Sequence, residues 1–280
     1  MNNNFNNCKV GVALSGGGAK GIAHLGVLKA LEDRGVQIER LSGVSAGAIM
    51  GAMYADGNRP EDLCEYFKQC DLFSMLSPVN MMKTGGFSKM DKFRRFISKK
   101  ITSKNFEDLK IPLTINATEL NAGCNVYFSS GPLLDCIIAS ASVPICFNPV
   151  EINGKQFVDG GFFCNMPASI LRKQGCDLVI GIHVNPITYV EKSKSLIDVS
   201  ERVFHLAVNG NTIEQKKSCD IVIETTKAKD YGMFDASRAD EIYNIGYEAA
   251  EEALNNFDWD QYMTRKSISR PYTTDERVIP

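Results

Sequence analysis

The chain has 280 residues, 44% of them hydrophobic, enough to bury one large α/β core and to carry an inserted subdomain. Its 31 Lys and Arg balance 33 Asp and Glu, so no global field favours nucleic acid or an anionic membrane, and any such preference must be local. The nine cysteines are scattered without Cys-x-x-Cys or zinc-type spacing, the polar start MNNNFNNCKV lacks a secretory apolar run, and no stretch approaches the roughly 18 apolar residues of a membrane span. This is the pattern expected of a cytoplasmic protein with reduced thiols, which would meet any lipid from the water side.

After a polar tail over residues 1–7, one domain is expected from 8 to 280. KVGVAL (9–14) is a short apolar run suited to a buried parallel strand, and SGGGAKG follows as a glycine loop. Ala23, Val27, Ala30 and Leu31 then recur at helical spacing until Gly35. A second strand leads into G-x-S-x-G, formed by Gly43, Ser45 and Gly47, and AGAIMGAMYADG reads as a buried helix. Strand, tight turn and helix, twice over, predict a three-layer α/β/α sandwich with a mostly parallel, doubly wound sheet.

From about Arg59 to Lys110 the pattern turns helical, which predicts an inserted cap. It contains a Met-rich stretch (73–87) suited to an acyl pocket, a lid or loosely packed core. In DKFRRFISKK (91–100), Phe93, Phe96 and Ile97 share one helical face and Lys92, Arg95, Lys99 and Lys100 lie around the other. That segment suits peripheral membrane contact, or an ordinary surface helix whose aromatics pack inward. IPLTINATEL (111–120) and NVYFSS (125–130) form a strand pair across the turn Asn121–Gly123, and a helix ends before Pro144. KQFVDGG (155–161) is a strand running into a turn, and DLVIGIHV (177–184) a fully buried strand. A long helix near 196–217, the strand DIVIETT, a helix near 238–256 and a polar tail complete the chain.

Two motifs carry chemistry. Gly16, Gly18 and Gly21 spell G-x-G-x-x-G between a strand and a helix, with Glu39 about where a ribose partner would stand, the context of a nucleotide-binding Rossmann-like turn. The same backbone N–H groups could instead serve a developing oxyanion, or the glycines could only permit close packing. The strained serine turn at Ser45 favours the oxyanion role, because acyl transfer needs both a nucleophile and oxyanion donors. Lys20 adds a charge beside the loop or is a solvated residue of the first turn.

The candidate bases for Ser45 are the chain's three histidines and, against them, Asp159. His24 lies in the first helix and His205 among apolar neighbours in VFHLAV, both reading as packed or surface side chains. His183 ends a strand, where ligands of open α/β sheets gather. Asp159 also ends a strand, and Gly160 and Gly161 let the chain turn sharply behind it. A low-dielectric site could raise its pKa enough for it to act directly on a serine; a D-G-G turn with the aspartate capping backbone is the structural alternative.

GGGAKG (16–21), GVSAG (43–47) and DGG (159–161), together with ASASVPICFNPV (139–150), resemble in order and spacing the signature blocks of the patatin-like phospholipase family, in its bacterial single-domain form. The likeness runs from about Cys8 to Pro186. It implies hydrolysis of acyl esters in lipids or small esters by a Ser-Asp dyad without histidine, with no cofactor or metal and no nucleic acid. By position it implies Ser45 as nucleophile, Asp159 as base, and Gly16, Gly17 and Gly18 as oxyanion donors. Lys20 stands where the family often has arginine. A non-catalytic lipid-binding scaffold on the same fold is the further alternative.

Overall fold

In the computed structural model, residues 5, 8–69, 87–144, 147–187, 189, 196–231 and 237–268 are described. The Met-rich stretch apart from Phe87 and the final tail from 269 onward lie outside them. Eight strands make one sheet: β1 (Val10–Leu14), β2 (Ile38–Gly43), β3 (Leu113–Glu119), β4 (Cys124–Phe128), β5 (Val150–Ile152), β6 (Lys155–Asp159), β7 (Leu178–His183) and β8 (Ile221–Glu224). Their order is β5-β6-β3-β2-β1-β7-β8, with β4 on the side of β3.

The run β3-β2-β1-β7-β8 is parallel throughout, as expected for strands buried on both faces. β4, β5 and β6 pair antiparallel. β4 occupies one edge of β3 along Ile115–Glu119, so β2 and β6 must share the other edge. There Gly43 pairs with Ile115 and Asp159 with Ala117. Two strands running in opposite directions therefore present their carboxyl ends to each other along one edge.

Helices α1 (Ile22–Asp33), α2 (Ala46–Ala55) and α3 (Pro60–Lys68) follow the first two strands. Phe87–Ser98 forms α4, and α5 (Leu133–Ser140) and α6 (Ala168–Lys173) lie between the later strands. The long α7 (Leu196–Lys216), then α8 (Ala239–Asn256) and α9 (Trp259–Ile268), close the order. α2 is buried on every side, as its small and apolar residues predict. α1 and α8 approach so closely that a Cβ on Gly26 would stand 1.9 Å from the Tyr243 carbonyl oxygen.

The face of α4 built from Phe93, Phe96 and Ile97 turns inward and is buried, which removes it from any membrane. Phe93 stacks on Phe147 at 5.2 Å, and Phe96 stacks on Tyr66 at 4.8 Å. The exposed apolar surface lies elsewhere. Val199, Val203, Leu206 and Ile213 recur along α7 at intervals of three, four and seven residues and face solvent, as do Phe162 and Phe163. No helix among the described residues is long and apolar enough to cross a membrane.

Candidate active site

Ser45 is held at φ 53, one of two non-glycine residues with positive φ among those described. It caps the N-terminus of α2, where the helix dipole favours negative charge. The flanking glycines make this turn fit. A Cβ on Gly43 would lie 2.5 Å from the Gly47 carbonyl oxygen, and one on Gly47 would lie 2.3 Å from the carbonyl oxygen of Leu14. The backbone strain, of order 1–3 kcal/mol, is held by this packing.

Asp159 ends β6 at 1% exposure, inside the same cleft as Ser45. Burial lifts its carboxyl from 3.8 to about 6, while the nearby Ser45 hydroxyl and the Gly161 N–H work in the other direction. Gly161 N–H donates to Oδ1 at 2.8 Å, and Oδ2 is buried with no partner. The serine hydroxyl is thus close enough to favour the ionised carboxylate without completing a well-aligned hydrogen bond to it. A buried acceptor left open carries an unmet demand for a proton donor.

The backbones of both residues hang from one scaffold. Ser45 N–H donates to Ser140 Oγ at 2.9 Å, and Ser140 Oγ donates to the Asn116 carbonyl at 2.7 Å. Asp159 N–H donates to the Ser142 carbonyl at 3.0 Å, and its own carbonyl accepts from Thr118 Oγ1 at 3.0 Å. The ASAS segment and β3 therefore set the positions of Ser45 and Asp159 together. Gly21 packs on Ala46, and Gly160 on Asn116.

The glycine loop faces Ser45: a Cβ on Gly16 would stand 3.3 Å from the Ser45 Cβ. Gly16 N–H is taken by the Asn165 carbonyl at 3.2 Å, so the expected trio of donors narrows to Gly17 and Gly18. Lys20 is no solvated residue of the first turn. It is buried, and its Nζ donates to Asn185 Oδ1 at 3.0 Å. Asn165, Asn185 and Ser140 are neighbours of Ser45 and the glycine loop that the sequence did not single out.

The nucleotide reading fails on geometry. Glu39 lies near the start of β2, whose neighbour Ile38 pairs with Val10, whereas the glycine loop follows the far end of β1 at Leu14. Roughly 13 Å of strand separates them. Two histidines also lie outside the cleft lining. His24 is bound through Nε2 to the Ser15 carbonyl at 2.8 Å, and His183 Nδ1 faces Glu224 Oε1 at 3.0 Å. His205, expected to be a packed or surface side chain, instead lines the cleft against Asn185.

That cleft measures about 880 Å³ with the open space at its mouth included. Its polar end carries Ser45, Asp159, Asn165, Asn185 and His205. The rest is apolar, with Ile49, Met50, Phe67, Phe93, Phe96 and Phe147 prominent. A strained serine, a buried carboxylate and the Gly17 and Gly18 backbone in one largely apolar cleft form a set suited to acyl transfer.

The sequence profile of patatin-like phospholipases matches residues 12–172, more than half of the chain. The chain belongs to the patatin-like phospholipase family. It is 26% identical to lysophospholipase NTE1 of Saccharomyces cerevisiae over 96% of its own length and 18% of that protein. Against the NTE1 of Kluyveromyces lactis it is 27% identical, covering 88% of itself and 19% of the relative. An uncharacterized NTE family protein of Mycobacterium tuberculosis is 33% identical over 63% of this chain and 49% of its own. The chain thus spans less than a fifth of the fungal relatives and about half of the mycobacterial one.

The fold is shared with solved structures at low identity. VipD from Legionella pneumophila superposes with a TM-score of 0.55 at 16% identity, over 89% of this chain and 67% of VipD. Human GIVD cytosolic phospholipase A2 in complex with methyl gamma-linolenyl fluorophosphonate gives 0.52 at 13%, over 94% and 60%. Both have the α/β architecture that family membership requires.

Proposed function

We propose that the chain is a lipid acyl hydrolase in which Ser45 is the nucleophile and Asp159 the base. The carrying observation is the pair itself: a serine strained onto a tight turn, sharing a cleft with a buried carboxylate whose Oδ2 has no partner. In this reading Asp159 takes the hydroxyl proton as Ser45 Oγ attacks the ester carbonyl, and the N–H groups of Gly17 and Gly18 receive the oxyanion. The C–O bond to the alcohol then breaks, and Asp159 returns its proton to the departing oxygen. A water, deprotonated by the same carboxylate, attacks the acyl-serine carbonyl, the C–O bond to Ser45 Oγ breaks as Asp159 returns that proton to it, and the fatty acid leaves. His205 does not serve as base, because its Nε2 faces the Asn185 amide.

The apolar arm of the cleft suits one acyl chain, and relatives named lysophospholipases support lipid esters as substrates. The segment from about Arg59 to Lys110 acts as the cap, since it supplies Phe67, Phe93 and Phe96 to the channel. Lipid enters from a surface that meets Phe162, Phe163 and the exposed apolar face of α7, whose residues His205 and Val208 line the cleft. The setting is cytoplasmic, where the free thiols stay reduced.

The test is hydrolysis of p-nitrophenyl butyrate with labelling by a fluorophosphonate probe. Ser45→Ala and Asp159→Asn should each lower kcat by roughly 10³-fold or more, and Ser45→Ala should lose the label. His183→Ala should retain turnover, because His183 lies outside the cleft. An inactive His183 variant beside an active Asp159→Asn would refute the dyad.

A further inference from the structure

Behind the glycine loop lie two side chains that take no part in the Ser45 and Asp159 chemistry. Ser15 follows β1 and His24 stands in the first turn of α1, and both are fully buried. Neither lines the cleft, so neither can touch a substrate.

The last two peptide groups before Gly17 are both tethered. In the Ser15–Gly16 peptide the carbonyl accepts from His24 Nε2 at 2.8 Å, and the N–H donates to the Asn165 carbonyl at 3.2 Å. In the Gly16–Gly17 peptide the carbonyl accepts from Ser15 Oγ at 3.1 Å. Val184 N–H, which can only donate, meets that hydroxyl from another side at 3.1 Å and so leaves its single hydrogen for the Gly16 carbonyl. The peptide is planar and trans, so pinning the Gly16 carbonyl on one side fixes the direction of the Gly17 N–H on the other.

The tethers matter because the loop is glycine. Glycine takes either sign of φ at little cost, and Gly18 sits at φ 59, so an untethered run of three could turn a peptide over. A carbonyl oxygen would then stand where an N–H is needed, and it would repel the developing oxyanion.

His24 also brings a cost that packing alone does not explain. The Ser15 carbonyl can only accept, so the ring proton is on Nε2 and Nδ1 keeps a lone pair. Burial brings the His24 pKa down to about 4 against the pull of that carbonyl, so the ring is neutral. Nδ1 is buried with no hydrogen-bond partner. An apolar side chain would fill this space without stranding an acceptor, so the ring is kept for its donor.

We propose that His24 and Ser15 are positioning residues that lock the glycine loop with the Gly17 N–H toward the oxyanion, His24 holding the peptide before Gly16 and Ser15 the peptide after it. The inference rests on the acyl-hydrolase reading and adds to it the parts that keep its oxyanion donors from turning over. A histidine thereby serves the reaction without exchanging a proton.

The experiment measures kcat and KM for p-nitrophenyl butyrate per mole of Ser45 titrated to its end point with a fluorophosphonate probe, so that misfolded protein drops out. His24→Leu should lower kcat about 10- to 100-fold, somewhat less than outright deletion of an oxyanion donor. KM should stay within about twofold, because the interaction is made in the transition state. His24→Gln, whose amide can carry an N–H to the same carbonyl, should recover kcat to within about threefold of the wild type. Ser15→Ala should lower kcat about tenfold with KM again held. Full kcat in His24→Leu, a His24→Gln no better than His24→Leu, or losses that fall on KM overturn the proposal. Should His24→Leu leave no titratable Ser45, Ser15→Ala decides: the stated loss of kcat supports the lock, and full kcat overturns it. A wild type with neither esterase activity nor label refutes the acyl-hydrolase reading itself.

Discussion

Replacing Asp159 by Asn is expected to abolish turnover and to stabilise the fold. The carboxyl is 1% exposed, and burial raises its pKa from 3.8 to about 6. In the unfolded chain the same group ionises near its ordinary value, so above that pH the folded state binds the proton more tightly than the unfolded one. The resulting stabilisation is fully present below the unfolded pKa and is lost as pH rises through the folded one. A difference of about two pH units, at ~1.4 kcal/mol each, makes the ionised carboxylate a burden of roughly 3 kcal/mol at neutral pH and above. Asn keeps the volume and an oxygen for the Gly161 N–H while removing the charge. Urea unfolding near pH 8 should then find the variant more stable by roughly 2–3 kcal/mol, with the gap narrowing to under about 1 kcal/mol near pH 4. A variant equal to or weaker than the wild type at pH 8, or a gap that ignores pH, refutes the reasoning.

With Asp159 as the proposed base, kcat/KM for a neutral p-nitrophenyl ester should fall about tenfold per pH unit below pH ~6, as Asp159 takes up its proton, and a pH-rate profile checks it. Gly47→Ala would place a Cβ 2.3 Å from the Leu14 carbonyl oxygen, so urea unfolding should show a loss of roughly 2–4 kcal/mol, with esterase activity lost in step. Phe93→Ala removes a ring stacked on Phe147 in the cleft. It should cost about 3 kcal/mol and shift the optimum of a p-nitrophenyl ester series toward longer acyl chains. Phe163→Glu with Leu206→Glu should lower turnover of vesicle-borne lipid about tenfold more than that of a water-soluble ester, as expected if these exposed side chains meet the lipid surface.

The glycine motifs were legible in the sequence because each answers to a local backbone demand: a turn at φ 53 between two strands and a helix leaves no room for side chains at positions 43 and 47. Local signals also existed where the reading missed elements. VEINGKQF contains Asn153-Gly154, both at positive φ, the mark of a tight hairpin turn, and it joins β5 to β6. His205 was misplaced for a different reason. Its neighbours Val203 and Leu206 are apolar yet exposed, while the histidine points into the cleft, so hydrophobic periodicity inverted the true inner face of α7. The contact from Lys20 to Asn185 joins residues far apart in the chain, and no pattern within either segment announces it.

The distance between Ser45 and Asp159 is, in the end, a property of strand register. β2 runs parallel to β3 and β6 antiparallel to it, and because β4 fills the opposite edge, both must stop on the same edge of β3. Gly43 stops opposite Ile115 and Asp159 opposite Ala117, a separation of two residues or roughly 7 Å along the strand. Ser140 and Ser142 then bind the Ser45 and Asp159 backbones, while Asn116 and Thr118 anchor the arrangement from β3. A carboxylate delivered by a flexible loop could drift, but one delivered by a strand end against a shared neighbour cannot move unless the ladder shifts register. A ladder shift is costly because a one-residue slip would exchange the two faces to which the buried Phe157, Val158 and Asp159 are fitted. The sheet thereby holds Asp159 in the cleft of Ser45, and burial of that strand end raises the carboxyl's pKa to about 6, the range in which a carboxylate can act as a base near neutral pH.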